Sequence, residues 1–308
     1  MTRGPDFFLI GAPKCGTSAL ADYLGQHPEI GMCPRKETHF FADDQLFGRQ
    51  QMHPGRRRKT LTEYLSWFET LQGRRLGEAS VWYLYSRGSG ERIKAFRPDA
   101  QLIAMIRNPI TAVPALHSEF VHMGIEPVRD LESALALDEE RVRGGAPPGF
   151  PPASYRSAFR YAEQLKAYFD LFGRESIHIV VFDDFKRDTA GAFRGVCRFL
   201  GVDSDFDPEI RIVNANKEAR VPGFQRLVKR PPTSVRRALR VVTTEDSREW
   251  LQSRLSRLNT RNRPRGRIPP AVAAALLPEV ENQCRELREL IGLDLTAWLE
   301  ESDRIASG

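Results

Sequence analysis

Cysteine is scarce, with four in 308 residues. Cys15, Cys33, Cys197 and Cys284 are scattered, without CxxC spacing or a companion histidine cluster. That argues against a zinc site or a disulfide framework and fits the reduced thiols of a cytosolic protein. Long apolar runs are also missing. No stretch approaches the roughly 20 consecutive apolar residues that a membrane span needs. The short apolar run ending at Ile10 enters a Gly/Pro-rich turn, not a small-residue cleavage site, so a strand is expected there and not a signal peptide. Internal repeats and recognisable nucleic-acid modules are absent too, so no nucleic-acid partner is expected. The expected location is cytoplasmic.

Charge of one sign is in excess. Lys and Arg number 46 against 40 Asp and Glu, a formal net charge of +6. Such a balance suits an anionic partner without naming one. The excess is concentrated: residues 217–267 hold 15 Lys/Arg and four Asp/Glu, and the remainder holds 31 Lys/Arg against 36 Asp/Glu. Hydrophobic residues make up 41% of the chain, enough for a sizeable core.

Strand and helix patterns alternate. Phe7-Phe8-Leu9-Ile10 reads as a buried strand, and Thr17 to Gln26 has helical spacing through Leu20, Tyr23 and Leu24. Further strands are expected at 29–33, 75–80, 101–106 and 176–182. Helices are expected at 61–71, 130–143, 157–172 and about 189–200. This alternation predicts an α/β fold of three layers with a central parallel sheet. Residues 1–213 form the expected α/β core of a single domain spanning 1–308. Residues 214–308 form a basic helical C-terminal cap. Within that part, Phe224, Leu227, Val228, Val235, Leu239 and Val242 alternate with Arg and Lys. Such a pattern suits solvated helices over the sheet, a face that touches anionic membrane, or the wall of an acidic substrate groove.

The chemistry-bearing signals sit at the expected strand ends. Gly11-Ala12-Pro13-Lys14-Cys15-Gly16-Thr17-Ser18 joins the first strand to the first helix, where open backbone N–H groups and the helix dipole favour an anion. Lys14 adds a full charge, Gly16 allows close approach, and Thr17 and Ser18 add hydroxyls. The order is not that of a Walker A loop, whose Lys follows the Gly directly. The plainer alternative is a helix that Thr17 or Ser18 merely caps.

Pro13-Lys14-Cys15-Gly16-Thr17-Ser18 resembles the 5'-phosphosulfate loop of the sulfotransferases that use 3'-phosphoadenosine-5'-phosphosulfate (PAPS). Arg35-Lys36-Glu37-Thr38-His39-Phe40-Phe41 is similar to the Lys-Glu-x-His-Phe-Phe segment of the heparan sulfate sulfotransferases and their bacterial relatives. The resemblance implies PAPS as co-substrate, 3',5'-ADP as by-product and no metal. It implies that Glu37 is the base, that Lys14 stabilises the leaving oxygen, and that His39 orients the acceptor or shares the proton. Cys15, Gly16, Thr17 and Ser18 belong to the implied cofactor loop. Paired instead with Lys36 or Arg35, Glu37 is a plain surface carboxylate; packed beside Phe40 and Phe41, His39 is a structural residue.

Arg107-Asn108-Pro109, after an apolar run, resembles the family's 3'-phosphate motif, and an Arg fork suits a phosphate. The family serine eight residues beyond that Arg is Ala115 here, and Ser118, on the same expected helix face, is the substitute candidate. Lys217 and Arg220 fall where the family closes a basic loop over the nucleotide. Gly77-Glu78-Ala79-Ser80 departs from the heparan enzymes, which carry Lys at the position of Ala79. The acceptor is expected to be a hydroxyl of a small molecule, saccharide or lipid.

Two rivals follow from the same residues. One is a nucleotide-dependent kinase, for which only Asp183-Asp184 offers a strand-end carboxylate for Mg²⁺. The other is a non-catalytic binder of polyanions or membrane that uses residues 217–267.

Overall fold

The computed structural model describes residues 3–42, 59–145, 154–211, 217–219, 254, 259–262 and 267–307. Five parallel strands form the main sheet: β1 (Phe7–Gly11), β2 (Ile30–Met32), β3 (Arg75–Ala79), β4 (Gln101–Ile106) and β5 (Ile177–Val181). Their order is β2-β3-β1-β4-β5. Every residue of β1 is buried, as are all but the first of β4. Strands covered on both faces read as unbroken apolar runs, which is why these two stand out in the sequence.

The connections set the position of the site. From β1 the chain runs through α1 (Thr17–Leu24) to the edge strand β2 and returns through β3 beside β1. It then crosses to β4 and β5 on the other side of β1. Strand order reverses at β1, and ligand crevices of open α/β sheets lie at such a point, outside the carboxyl ends of the strands. The segments carrying Lys14, Glu37, Glu78 and Arg107 all leave the sheet at those ends.

Local chemistry fixes many boundaries. Thr60 and Glu63 form a capping box at the start of α2 (Leu61–Leu65). Helix α3 spans Arg87–Phe96. Asn108 caps α4 (Pro109–His122) by accepting from the Ile110 amide at 3.1 Å, and Pro109 occupies the first helical position.

Three expected helices are shorter or broken. The helix expected over 61–71 ends as α2, followed by a 3-10 turn, Ser66–Phe68. The expected 130–143 helix is broken into α5 (Leu131–Ala136), α6 (Asp138–Glu140) and a wider turn, Arg141–Gly145. Asp138 turns inward there to accept from the Tyr155 and Arg156 amides at 2.8 and 3.0 Å. Arg141 grips the buried Glu126 with two bonds of 2.6 and 2.9 Å. The expected 157–172 helix is a 3-10 turn, Ser157–Phe159, joined at Arg160 (φ −80°, ψ 66°) to α7 (Tyr161–Phe172).

After β5 come α8 (Phe182–Arg187) and α9 (Thr189–Leu200), the latter capped by Asp188 and closed by the left-handed Gly201. A short antiparallel pair, β6 (Lys217–Ala219) and β7 (Thr260–Asn262), lies beside α4. The C-terminal part supplies α10 (Pro270–Ile291), packed on α4 and α7, and α11 (Thr296–Ala306). The basic amphipathic stretch expected over 224–242 lies outside the described residues, as does Arg220. Among the described residues no helix is long and apolar enough to cross a membrane. All four cysteines are buried free thiols.

Candidate active site

The loop after β1 turns tightly into α1 and leaves the helix start open. Gly16 precedes α1 with φ 90°, and no hydroxyl caps the helix. Thr17 and Ser18 are therefore not spent as caps, and the first-turn amides point outward as helix geometry requires. A Cβ at Gly16 would sit 2.9 Å from the Phe182 ring, so the tight packing also demands glycine. Cys15 turns away from the cleft: its Sγ lies 3.5 Å from the Tyr161 hydroxyl, and burial pushes its pKa up to about 12. It contributes backbone to the loop, not a thiolate.

Lys14 and Glu37 come from different strand ends into one charged cluster. Lys14 Nζ pairs with Glu119 Oε2, from α4, at 2.5 Å. Lys36 Nζ donates to Ser18 Oγ and lies 3.6 Å from Glu37 Oε1. Glu37 Oε2 accepts from the Val81 amide at 3.0 Å and is 3.6 Å from His39 Nε2. Burial raises the Glu37 pKa to about 7; Lys36 and the Val81 amide oppose the rise, and the carboxylates of Glu119 and Glu78 add to it. That places Glu37 where a general base operates near neutral pH.

Three non-glycine residues have positive φ among those described: Lys14 (64°), Glu37 (59°) and His39 (50°). Each such conformation costs on the order of 1–3 kcal/mol and persists only where the surroundings impose it. For the Glu37–His39 segment the surroundings are the Glu78–Tyr83 stretch. Glu37 N–H donates to Ala79 O at 2.9 Å, His39 N–H to Ser80 Oγ at 3.1 Å, and Phe41 N–H to the Tyr83 hydroxyl oxygen at 3.2 Å. Glu78, fully buried in β3, accepts at Oε1 from Thr38 (2.6 Å), Ser80 (2.7 Å) and Tyr83 (2.9 Å). The Tyr64 hydroxyl bonds its other oxygen. Burial raises the Glu78 pKa, and these four hydroxyls pull it down. The segment that departs from the heparan pattern at Ala79 is thus the frame from which the Glu37 loop hangs.

Arg107 is buried at the end of β4, its guanidinium 4.6 Å above the Phe182 ring. Nε donates to Thr111 Oγ1 at 2.9 Å and Nη1 to the Lys14 carbonyl at 3.0 Å. The hydroxyl beside Arg107 is therefore Thr111, one turn into α4. Ser118 lies half-buried about two helical turns beyond Thr111 on the same helix. Lys217 falls on the backbone of β6, beside α4.

Four residues escaped the sequence reading as parts of the site. Thr111 had a signal, its i+4 spacing from Arg107 at a helix start. Glu78 had a weaker one, as the lone carboxylate in the buried part of a strand. Lys36 was visible only as a neighbour of Glu37, and Glu119 had no local signal.

The carboxylate that a kinase would need is committed elsewhere. Asp183 Oδ2 accepts from Trp298 Nε1 at 3.0 Å, tying α8 to α11, and Asp184 pairs with Arg187 at 2.5 Å.

The sheet order brings the loop after β1 and the arginine after β4 to the same edge of an α/β fold. The family profile described as "Sulfotransferase domain" matches residues 4–219. The chain belongs to that family of transferases. It is similar to human heparan sulfate glucosamine 3-O-sulfotransferase 6, with 27% identity over 205 residues, 65% of this chain and 53% of the relative. Mouse carbohydrate sulfotransferase 15 is 32% identical over 155 residues, 38% of this chain and 27% of the relative. The chain thus spans about a quarter to a half of the length of these curated relatives. A crystal structure of a sulfotransferase from Alicyclobacillus acidocaldarius matches with TM-score 0.70 and 28% identity, covering 96% of this chain and 99% of that one.

Proposed function

We propose that this protein transfers a sulfuryl group from PAPS to an acceptor hydroxyl and releases 3',5'-ADP. The observation that carries the reading is the cluster in which Lys14 and Glu37, from separate strand ends, are joined through Glu119 and Lys36. In-line transfer needs a cation at the departing oxygen and a base at the attacking one, and this cluster offers both.

The acceptor oxygen bonds to sulfur as the bond from sulfur to the 5'-phosphate oxygen breaks. The acceptor proton passes to a Glu37 oxygen, and the negative charge left on the phosphate oxygen is met by Lys14. Gly16, Thr17 and Ser18 supply loop donors, with Lys36 beside Ser18 as a second cation. His39 Nε2, 3.6 Å from a Glu37 oxygen, orients the acceptor or shares the proton. Arg107 meets the 3'-phosphate through Nη2 and the second N–H of Nη1, since Nε and one N–H of Nη1 are engaged within the protein. The names of the curated relatives favour a saccharide hydroxyl as acceptor. The packing of α10 on α4 and α7 supports a single sulfotransferase domain for the whole chain.

A thermal-shift comparison of 3',5'-ADP with 5'-AMP tests the reading. At a concentration one hundred times its Kd a ligand stabilises by about 2.7 kcal/mol, so the bisphosphate should raise Tm by several degrees more than the monophosphate. Equal shifts would remove the case for PAPS.

A further inference from the structure

We propose that Glu119 is a positioning residue of the transfer reaction, competing with the sulfonated nucleotide for the ammonium of Lys14. The proposal rests on the nucleotide reading above.

Glu119 stands on the exposed side of α4 near its C-terminal end, and Lys14 in the loop after β1. The two meet through a contact that spans 105 positions of sequence. The side chains are 41% and 26% exposed, so the pair is open to an entering ligand. A phosphosulfate bound along the first-turn amides of α1 carries its bridging oxygen toward the same ammonium. Carboxylate and ligand cannot both hold Lys14 as they would hold it alone. An exposed ion pair is weak enough to yield and strong enough to lower ligand affinity several-fold.

A second consequence concerns Glu37. The charged and titratable groups around it are Lys36 and His39 on its own loop, Glu78 on β3 and Glu119 on α4. Once Lys14 turns to the nucleotide, the Glu119 carboxylate keeps only the weaker influence of Lys36 as counter-charge and acts more strongly on Glu37. Proton affinity at the base thus rises when the donor is in place, which favours uptake of the acceptor proton.

The experiment is titration calorimetry with 3',5'-ADP at low ionic strength on the parent, Glu119→Gln, Lys14→Ala and the double variant, with a pH–rate profile for parent and Glu119→Gln. We expect Glu119→Gln to tighten binding about three- to fivefold. In the Lys14→Ala background the same change should tighten binding by less, because charge repulsion remains there but the competition for Lys14 does not. The acidic limb of the kcat profile should move to lower pH in Glu119→Gln. Unchanged or weaker binding by Glu119→Gln, with the parent binding normally, overturns the proposal. So does equal tightening with and without Lys14. A parent that does not bind 3',5'-ADP instead overturns the nucleotide reading itself.

Discussion

Arg107 Nη1 donates to the carbonyl oxygen of Lys14 at 3.0 Å, so the residue read as the 3'-phosphate ligand also braces the loop that carries Lys14. Lys14 is one of the residues held at positive φ, and a bond to its carbonyl helps fix that peptide. Loss of the guanidinium should therefore affect nucleotide affinity and chemistry together.

Arg107→Ala should abolish most of the preference for 3',5'-ADP over 5'-AMP in thermal shift. Arg107→Lys keeps the charge but loses the fork, and should recover only a minor part of that preference. It should also lower kcat, because it leaves Lys14 unbraced. A lysine variant with parental kcat would show that the brace is dispensable.

Lys14→Ala should lower kcat by about a hundred- to a thousandfold, the range for removing one preorganised donor from a developing negative charge. Affinity for 3',5'-ADP should fall by less than tenfold, since the loop amides remain. Single-turnover rates with and without the lysine separate the two effects.

Glu37 must be ionised to accept a proton, and its pKa is raised from 4.5 to about 7. The rate should therefore rise with pH through about 7, and Glu37→Gln should lose turnover at every pH. The stability sign is opposite to that of a salt-bridged carboxylate. Between pH 4.5 and 7 the unfolded state binds fewer protons at this position than the folded state, so the group opposes folding increasingly as pH rises. Glu37→Gln should gain in Tm relative to the parent above pH 7, with the gain vanishing below about pH 4.5. A gain that is largest in acid contradicts the assignment.

Tyr64→Phe removes one of the four hydroxyls on buried Glu78 and should destabilise the protein by about 1–3 kcal/mol, the cost of leaving a buried acceptor short of a partner. Because Thr38 shares that carboxylate, turnover should fall as well, while 3',5'-ADP affinity stays near the parent value. Chemical denaturation together with calorimetry distinguishes the two outcomes.

Much of the fold is legible from local pattern. The run Gln101–Ile106 is apolar because β4 is covered on both faces, and its boundaries match the expected ones. Thr189–Leu200 is likewise found where expected, framed by the Asp188 cap and Gly201. The broken helices were not legible. The stops after Ala136 and at Arg160 sit next to contacts made by Asp138, Arg141 and Arg156 with distant segments, which no helical periodicity encodes. The site divides in the same way. Lys14 to Ser18 form a continuous local motif, whereas Glu119 reaches Lys14 only after the sheet has brought the loop of β1 and the helix of β4 together.

The sequence by itself determined the alternating α/β pattern, the tight loop at Lys14–Ser18, the Glu37 segment and the arginine at the end of β4, because short-range spacing and residue chemistry specify each. Only the tertiary structure decided that Glu78 is the buried anchor of the Glu37 loop, that Thr111 bonds Arg107, and that Glu119 holds Lys14. Those outcomes depend on strand order, helix direction and left-handed backbone at Lys14, Glu37 and His39. Long-range contacts impose such conformations against local preference, so local preference does not reveal them.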